Sequence, residues 1–221
     1  MPRVARATPG GYPQHVLNRA VMRMRIFKNN SDYILFEELL KESVEETDMR
    51  ILAYCIMPNH WHLLLNPKED NDLSTCMHKL TNAHTRRVHA LTRTIGTGPL
   101  YQGRYKSFMV EDDKHLLTVL KYIERNAVRA GLVDKAEDWQ WGSAWRRVHG
   151  SAQQKKLLSE LPTRLPHTYR IWVNTSESTE TLASIRSSVN KGRPFGQNDW
   201  LEKTVEMFNL GQTLRNPGRP K

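Results

Sequence analysis

Short apolar runs and longer stretches of helical periodicity alternate along the first part of the chain. Runs that are brief and bounded by turn residues predict four strands: residues 13–25, 50–56, 60–65 and 104–110. Between them, apolar residues recur every three or four positions and predict three helices: residues 31–42, 72–91 and 112–130. Gly131 ends the third helix in this prediction, because glycine adopts the left-handed conformation at little cost.

The order of these elements predicts an α+β fold. Strand, helix, strand, strand, helix, strand matches a ferredoxin-like layout, in which helices cover an antiparallel sheet, and the last helix is an addition to it. Met57-Pro58-Asn59 predicts a turn between the second and third strands, because proline cannot donate to a strand ladder and asparagine tolerates turn dihedrals. Residues 50–56 and 60–65 are therefore expected to form a hairpin.

The chain changes character beyond Asp134. Three neighbouring tryptophans are expected to pack the first part of the chain against the C-terminal part: Trp139, Trp141 and Trp145. Two further helices are predicted at residues 177–189 and 198–208, which makes the C-terminal extension mostly helical. The last residues, 215–221, are basic and rich in proline and glycine, so we expect a disordered tail.

Net charge narrows the classes of partner. The chain has 221 residues, and 33 Lys and Arg against 23 Asp and Glu give a formal net charge of +10. This charge indicates that the protein binds a polyanion, either nucleic acid or an anionic membrane surface. The alternative is a basic soluble protein without such a partner. No apolar run approaches the ~20 residues of a membrane span, and the N-terminus lacks a secretory signal, so we expect a cytoplasmic protein. The 2 cysteines stand outside any CxxC pattern, which excludes a disulfide framework and a Cys-rich zinc site.

His60-Trp61-His62 is the sharpest chemical feature of the sequence. Side chains alternate between the two faces of a strand, so His60 and His62 share one face and Trp61 points to the other. Two imidazoles about 6–7 Å apart along one strand can converge on one cation. Two half-exposed histidines on a solvated sheet face are the alternative.

A second candidate lies late in the third predicted helix, where Tyr122 and Asn126 are one turn apart. The buried stripe of that helix follows apolar positions: Leu116, Leu120, Ile123, Ala127 and Ala130. Tyr122 falls among polar neighbours on a different face; an amphipathic surface tyrosine is the alternative. Beside a metal held by two histidines, the phenol could attack a phosphate whose charge the metal stabilises. The sequence does not identify the group that accepts the phenol proton.

Three longer motifs carry a resemblance to a known family. The chain resembles the REP-associated tyrosine transposases in their metal-site strand, in the segment before their last strand and in their catalytic helix: YCIMPNHWHLLL (54–65), YQGRYKS (101–107) and YIERNAVRAGLV (122–133). That family belongs to the HUH single-strand DNA transposases and nucleases with one catalytic tyrosine. Residues 139–141 and 193–196 also resemble a longer subgroup, so the similarity covers nearly the whole chain.

The resemblance implies a role for each site residue. His60, His62 and Asn126 would be the metal ligands, and Tyr122 would be the nucleophile. Members of the family cut single-stranded DNA near a hairpin, which leaves a 5′-phosphotyrosine and a free 3′-OH. Many have proline after the helix asparagine, where this chain has Ala127, and since alanine is a better helix former we expect a less kinked helix. Phosphoryl chemistry and the family favour Mg²⁺ or Mn²⁺, although two imidazoles with an amide oxygen also suit zinc.

Five basic residues are candidates for a DNA path: Arg104, Lys106, Arg125, Arg129 and Arg193. Arg104 and Lys106 would alternate onto one face of the last strand, and Arg125 and Arg129 would flank the site. Arg193 lies in a Gly-Arg-Pro sequence similar to the core of AT-hooks, which put arginine into a narrow minor groove. A solvated basic surface is the alternative for each of them.

Together these features predict a metal-dependent single-strand DNA endonuclease and strand transferase that acts on hairpin DNA, as a monomer or homodimer, in the cytoplasm and at the nucleoid. Residues 1–134 would be the HUH catalytic domain, and residues 135–214 a Trp-rich connection and helical DNA-recognition extension, followed by the tail. Two alternatives are open: a non-catalytic hairpin-binding protein of the same descent, and a metal phosphodiesterase in which Tyr122 is incidental. Only the first function predicts a covalent protein–DNA species.

Overall fold

The computed structural model describes residues 7–215, which fold around one sheet of four strands. The strands are β1 Gln14–Arg19, β2 Arg50–Met57, β3 His60–Asn66 and β4 Lys106–Met109. Their order is β2-β3-β1-β4, and each neighbouring pair is antiparallel. The helices are α1 Asn30–Glu45, α2 Asp72–Thr92, α3 Lys114–Glu124, α4 Asn126–Arg129, α5 Ser143–His149, α6 Ala152–Lys155, α7 Tyr169–Asn174, α8 Thr179–Lys191 and α9 Asn198–Met207. The predicted α+β, ferredoxin-like sheet with a helical extension is confirmed.

Helices α1 and α2 cover one face of the sheet. Trp61 is fully buried on this face and packs against Phe36, with ring centroids 5.7 Å apart. Its indole Nε1 donates to the hydroxyl of Tyr101 at 3.0 Å, and that hydroxyl also lies 2.6 Å from Nδ1 of His84. The predicted burial of Trp61 beneath the helices is therefore confirmed, and it turns the two flanking histidines to the opposite face.

Helix α3 and parts of the C-terminal extension cover that opposite face. One apolar cluster joins Leu64 and Phe108 of the sheet, Leu120 of α3, and Ile185 and Phe195 of the extension. Phe195 also pairs with the edge strand: its backbone N–H donates to the Met109 carbonyl at 2.8 Å, and its carbonyl accepts from Glu111 N–H at 2.9 Å. The boundary predicted at Asp134 is thus not a break in packing, because both parts share one core.

Two of the three predicted tryptophans, Trp139 and Trp141, attach the extension to the edge of β2, whereas Trp145 contacts His149 within the extension. Trp141 stacks on Tyr33 of α1 with ring centroids 4.7 Å apart, and its carbonyl accepts from the Ile56 backbone N–H at 2.9 Å. The indole Nε1 of Trp139 donates to the Ile56 carbonyl, also at 2.9 Å. These contacts satisfy backbone groups of β2 that would otherwise form an open sheet edge.

Several element boundaries differ from prediction, and two of the differences concern the elements around the site. Strand β1 ends at Arg19 rather than Arg25, because the chain turns through Met22 and Arg23, whose φ values are 51° and 58°. The helix predicted over residues 112–130 is interrupted at Arg125, with φ −87° and ψ 5°, so α3 and α4 are separate. Helix α1 begins close to the predicted position, and its N-cap is Asn29 in a capping box.

The predicted disordered tail lies outside the described residues, apart from Arg215. Within residues 7–215, no helix combines the length and the apolar character that crossing a membrane requires.

A buried carboxylate at the end of α3 joins the first part of the chain to the extension. The Glu124 side chain is 0% exposed and accepts hydrogen bonds from Ser143 Oγ at 2.7 Å and from the Tyr169 hydroxyl at 2.7 Å. Arg147 Nε donates to the same carboxylate at 3.1 Å. A buried charge requires such partners, because its desolvation is otherwise uncompensated.

Glu124→Ala should lower the free energy of unfolding by about 3–5 kcal/mol, because it leaves the Arg147 guanidinium without its buried counter-ion. Urea unfolding followed by circular dichroism measures this loss. Glu202→Ala, at an exposed position of α9, is the matched control and should change stability by less than ~0.5 kcal/mol. Equal effects of the two substitutions would show that the carboxylate network does not hold the extension.

Candidate active site

The two predicted histidines share the sheet face beneath α3. In the antiparallel register Leu17 of β1 lies opposite His62, and Arg19 lies opposite His60. Directly opposite residues share a face, so this part of the site is built by both β1 and β3. The His60 and His62 ring centroids are 5.1 Å apart. The structure therefore brings the predicted pair together.

His60 is held through one ring nitrogen. Its Nδ1 lies 2.6 Å from Oδ1 of Asn59, and the Asn59 amide nitrogen donates to the Arg23 carbonyl at 3.1 Å. Because that second bond turns the amide oxygen toward His60, Nδ1 of His60 is the donor. The Nε2 atom of His60 is then unprotonated, which is the form that binds a metal ion.

His62 is held by a third histidine that sequence reasoning missed. Its Nδ1 lies 2.9 Å from Nε2 of His15, a fully buried residue of β1. A lone histidine in a predicted strand has no spacing signal, and only the pairing of β1 with β3 places it here.

All three imidazoles are neutral at neutral pH. Burial lowers the pKa of His15 to about 3 and that of His60 to about 4. Burial also lowers the pKa of His62 well below its ordinary value, with neighbouring His15, His60 and Arg129 acting in the same direction. Desolvation penalises the charged imidazolium, so these rings are available as neutral nitrogen ligands.

Tyr122 faces the histidines from α3. Its ring centroid is 6.1 Å from that of His15 and 6.1 Å from that of His62. The residue is only 7% exposed and belongs to the apolar cluster beneath α3. The expectation of a polar helix face is wrong in this respect, because the helix surface that looked solvated from periodicity is covered by the sheet and by the extension.

Two of the predicted DNA-contacting arginines are paired inside the protein. The Arg129 guanidinium lies 4.1 Å from the centre of the Tyr122 ring, and its Nη1 donates to Glu177 Oε1 at 2.7 Å. Arg125 Nε donates to the other oxygen of Glu177 at 2.7 Å, and its Nη1 donates to the Val173 carbonyl at 3.2 Å. Through these contacts both arginines hold the extension against the tyrosine helix, and Arg125 is nearly inaccessible to solvent.

Asn126 begins α4 directly after the interruption. Its amide nitrogen donates to the carbonyls of Tyr122 at 3.3 Å and Ile123 at 3.1 Å. These two hydrogen bonds hold the Asn126 side chain one helical turn from Tyr122 and occupy its amide nitrogen. The amide oxygen is therefore the atom that could bind a metal ion. Within the described residues, no hydrogen bond joins Asn126 to either histidine.

A basic groove of about 490 Å³ includes in its lining Leu17 and Arg19, the residues of β1 that lie opposite the two histidines of β3. Three cations line it: Arg19, Arg104 and Lys106. Lys106 lies opposite Leu17, which itself lies opposite His62, so the row crosses two strand spacings, about 10 Å. Among residues 7–215 these cations form no ion pair, in contrast to Arg125 and Arg129. Val189 and Asn190 of the extension form another part of the wall.

Arg193 lies elsewhere. It lines a separate cleft of about 500 Å³ at the beginning of α3, together with Lys114, Thr118 and Ser184. The structure therefore places Arg104 and Lys106 in one groove and Arg193 in another. The predicted alternation of Arg104 and Lys106 along one strand face is wrong, because β4 begins only at Lys106.

Another cluster with metal-ligand chemistry lies beside that cleft. Ligand atoms of Glu111, Asp113 and His115 lie within 4.8 Å of one another. Asp113 is the N-cap of α3 and accepts from the His115 backbone N–H at 2.6 Å, and its Oδ1 is 2.8 Å from Nδ1 of His115. Glu111 accepts from the Gln197 N–H at 2.6 Å. Helix capping and attachment of the extension account for this arrangement.

Comparison with known proteins identifies the family of this chain. The family model described as transposase IS200 like matches residues 11–126, which is more than half of the chain. The chain belongs to the IS200-like transposase family. A Haemophilus influenzae protein provisionally named REP-associated tyrosine transposase is 30% identical over 127 residues, which cover 53% of this chain and 72% of that protein.

A solved structure supports the fold. A REP-associated tyrosine transposase bound to a REP hairpin superposes with a TM-score of 0.58 at 19% identity and covers 80% of this chain and 96% of that one. The resemblance found in the sequence is thereby confirmed at the level of family and fold.

Proposed function

We propose that this IS200-like transposase is a metal-dependent single-strand DNA endonuclease and strand transferase that acts at hairpin DNA through a phosphotyrosine intermediate. The observation that carries the proposal is the approach of Tyr122 to the histidine face, with ring centroids 6.1 Å apart. The hairpin bound in the solved relative supports the substrate class. A hydroxyl nucleophile beside two neutral imidazoles that can hold a metal ion supplies the groups that metal-assisted phosphoryl transfer uses.

The donor set fits a divalent cation. His60 donates its Nδ1–H to Asn59, which leaves Nε2 for the metal. His62 engages Nδ1 with His15, so Nε2 is the atom with which it would bind a metal, and Asn126 would supply an amide oxygen. When bound, Mg²⁺ or Mn²⁺ polarises the scissile phosphate and stabilises the charge that develops on its oxygens. Mg²⁺ prefers oxygen ligands, so substrate phosphate and water would complete its coordination.

The protein's own groups define the covalent step. The Tyr122 phenol oxygen forms a bond to phosphorus, the bond between phosphorus and the 3′ oxygen breaks, and the phenol proton ends on the released 3′-OH. Arg129, stacked on the phenol ring and fixed by Glu177, holds the tyrosine in place. Reversal of the step, or attack by another 3′-OH, gives strand transfer.

The groove of Arg19, Arg104 and Lys106 is the path we propose for the single strand that enters the site. Its cations lack carboxylate partners in residues 7–215, so they are available to phosphates. Because Val189 and Asn190 belong to the extension, residues 135–214 would help select the target. Arg193 lines a separate cleft and is proposed to contact DNA outside this path. Arg125 and Arg129 could contact DNA only if their ion pairs with Glu177 broke.

A hairpin-binding protein without catalysis is the second candidate, because the basic groove by itself explains binding. The ordered His60, His62 and Tyr122 cluster favours the enzyme. A cytoplasmic, nucleoid-associated location and a monomeric or homodimeric state go with either function.

Tyr122→Phe should eliminate the covalent adduct with a labelled hairpin that carries single-stranded flanks, while hairpin affinity is retained. The measurement is mass spectrometry of the protease-digested adduct, with the nucleotide expected on Tyr122.

Tyr101→Phe and Tyr105→Phe are the matched controls, because both side chains lie in the core cluster on the opposite sheet face. A nucleotide on either of them, or an adduct that persists in Tyr122→Phe, would identify a different nucleophile.

His60→Ala should abolish cleavage in Mg²⁺ or Mn²⁺ and change hairpin affinity little, because cations supply most of the binding energy. A denaturing gel separates cleavage from binding, and a filter assay gives the affinity. His78→Ala, at an exposed site on α2, should remain fully active. Cleavage by the His60 variant, or by the native protein in excess chelator, would contradict the assigned metal site.

Lys106→Gln should weaken binding of the single-stranded flank and reduce the slope of log K against log salt by ~0.7, the value for one phosphate contact to a single strand. Arg87→Gln, an exposed arginine on α2 across the sheet, should leave the slope unchanged. Equal slopes for the two variants would remove the groove as the DNA path.

A further inference from the structure

Buried polar atoms without a partner are uncommon in folded proteins, and one of them lies at the candidate site. Within the described residues, Nδ1 of His15 is buried and has no hydrogen-bond partner. The other faces of this ring meet aromatic groups, with centroids 4.9 Å from Phe108 and 6.1 Å from Tyr122. An imidazole on this apolar face is costly, and the contact that accounts for it is the one with His62.

The geometry of that contact is close to ideal for a hydrogen bond. The His15 and His62 ring planes are 7° from parallel, their centroids are 5.1 Å apart, and the facing nitrogen atoms are 2.9 Å apart. The difference between these two distances is about the diameter of an imidazole ring, so the rings lie edge to edge in nearly one plane. An imidazole N–H and an imidazole lone pair both lie in the ring plane, so this arrangement aligns donor and acceptor.

The direction of this hydrogen bond decides what His62 can do. If His15 donated from Nε2, the proton of neutral His62 would be on its own Nε2 and would block metal ligation there. If His62 donates from Nδ1, its Nε2 keeps a free lone pair, as Asn59 ensures for His60. The second arrangement leaves a proton on the unpartnered Nδ1 of His15, a cost that a functional site can retain.

We propose that His15 is a positioning residue that accepts the Nδ1–H of His62 and so presents the Nε2 atom of His62 to a divalent cation. The inference rests on the proposed function, in which His62 is a ligand, and adds a residue of β1 to the site. Partners of this kind fix the tautomer and orientation of a ligating histidine, and their loss costs about 10–100-fold in metal affinity.

Mn²⁺ binding followed by calorimetry tests the role directly. His15→Phe keeps the volume and removes the acceptor, and should raise the Kd for Mn²⁺ by about 10–100-fold. His15→Gln, which offers an amide oxygen to His62, should recover part of this loss. His84→Phe is the matched control, because His84 is also buried with an unpartnered Nε2 but lies on the opposite sheet face; its Kd should equal that of the native protein.

Nitrogen-15 NMR of the metal-free native protein reports the tautomers of His15 and His62, which a merely structural role of His15 would not determine. The proposal requires the proton of His62 on Nδ1 and that of His15 on Nδ1. A proton on Nε2 of His62 would overturn it, whether or not the His15 variants fold.

The Mn²⁺ binding results distinguish a failure of the positioning role of His15 from a failure of the proposed function. If the native protein binds Mn²⁺ and His60→Ala does not, while His15→Phe binds as tightly as the native protein, the metal site stands and the positioning role is wrong. If the native protein binds no Mn²⁺, the proposed function fails, and the His62 tautomer still decides the hydrogen-bond direction.

Discussion

Alternation of side chains along β3 is the constraint on which the rest of this structure depends. Trp61 buries an indole between the sheet and the α1–α2 layer, and a one-residue shift of register would turn both flanking histidines into that core. Because the Trp61 indole also donates to Tyr101, its orientation is specified by a hydrogen bond as well as by packing. The core on one face thus fixes the chemistry on the other, and the pairing of β3 with β1 adds His15 to it.

The basic side chains of this protein fall into two groups, those paired with a carboxylate inside the fold and those available to bind phosphate. Glu124 and Glu177 are side chains with little exposure where the extension meets the tyrosine helix; Glu124 pairs with Arg147, and Glu177 pairs with Arg125 and Arg129. By contrast, Arg19, Arg104 and Lys106 have no such partners in the described part of the chain. The extension therefore contributes twice: it supplies the acid that fixes Arg129 over Tyr122, and it supplies one wall of the groove.

Local pattern was sufficient for features that depend on a single element. The strand periodicity of β3 identifies the shared face of His60 and His62, and the order of elements identifies the fold. Pattern failed where the deciding contact is distant in the chain. Arg125 was predicted to be available to DNA because its partner Glu177 is 52 positions away. Tyr122 was predicted to lie among polar neighbours because helix periodicity does not show what covers a helix. His15 gave no local signal, since its role depends on the register of β1 against β3.

The most direct test of the account is a crystal structure of the Tyr122→Phe protein with Mn²⁺ and a hairpin that carries a single-stranded flank, with manganese located by its anomalous scattering. We expect an anomalous peak bound by Nε2 of His60 and His62, with the phosphate of the flank between that peak and the ring at position 122. Manganese at Glu111, Asp113 and His115 instead, or the flank bound across the α1–α2 face, would contradict it.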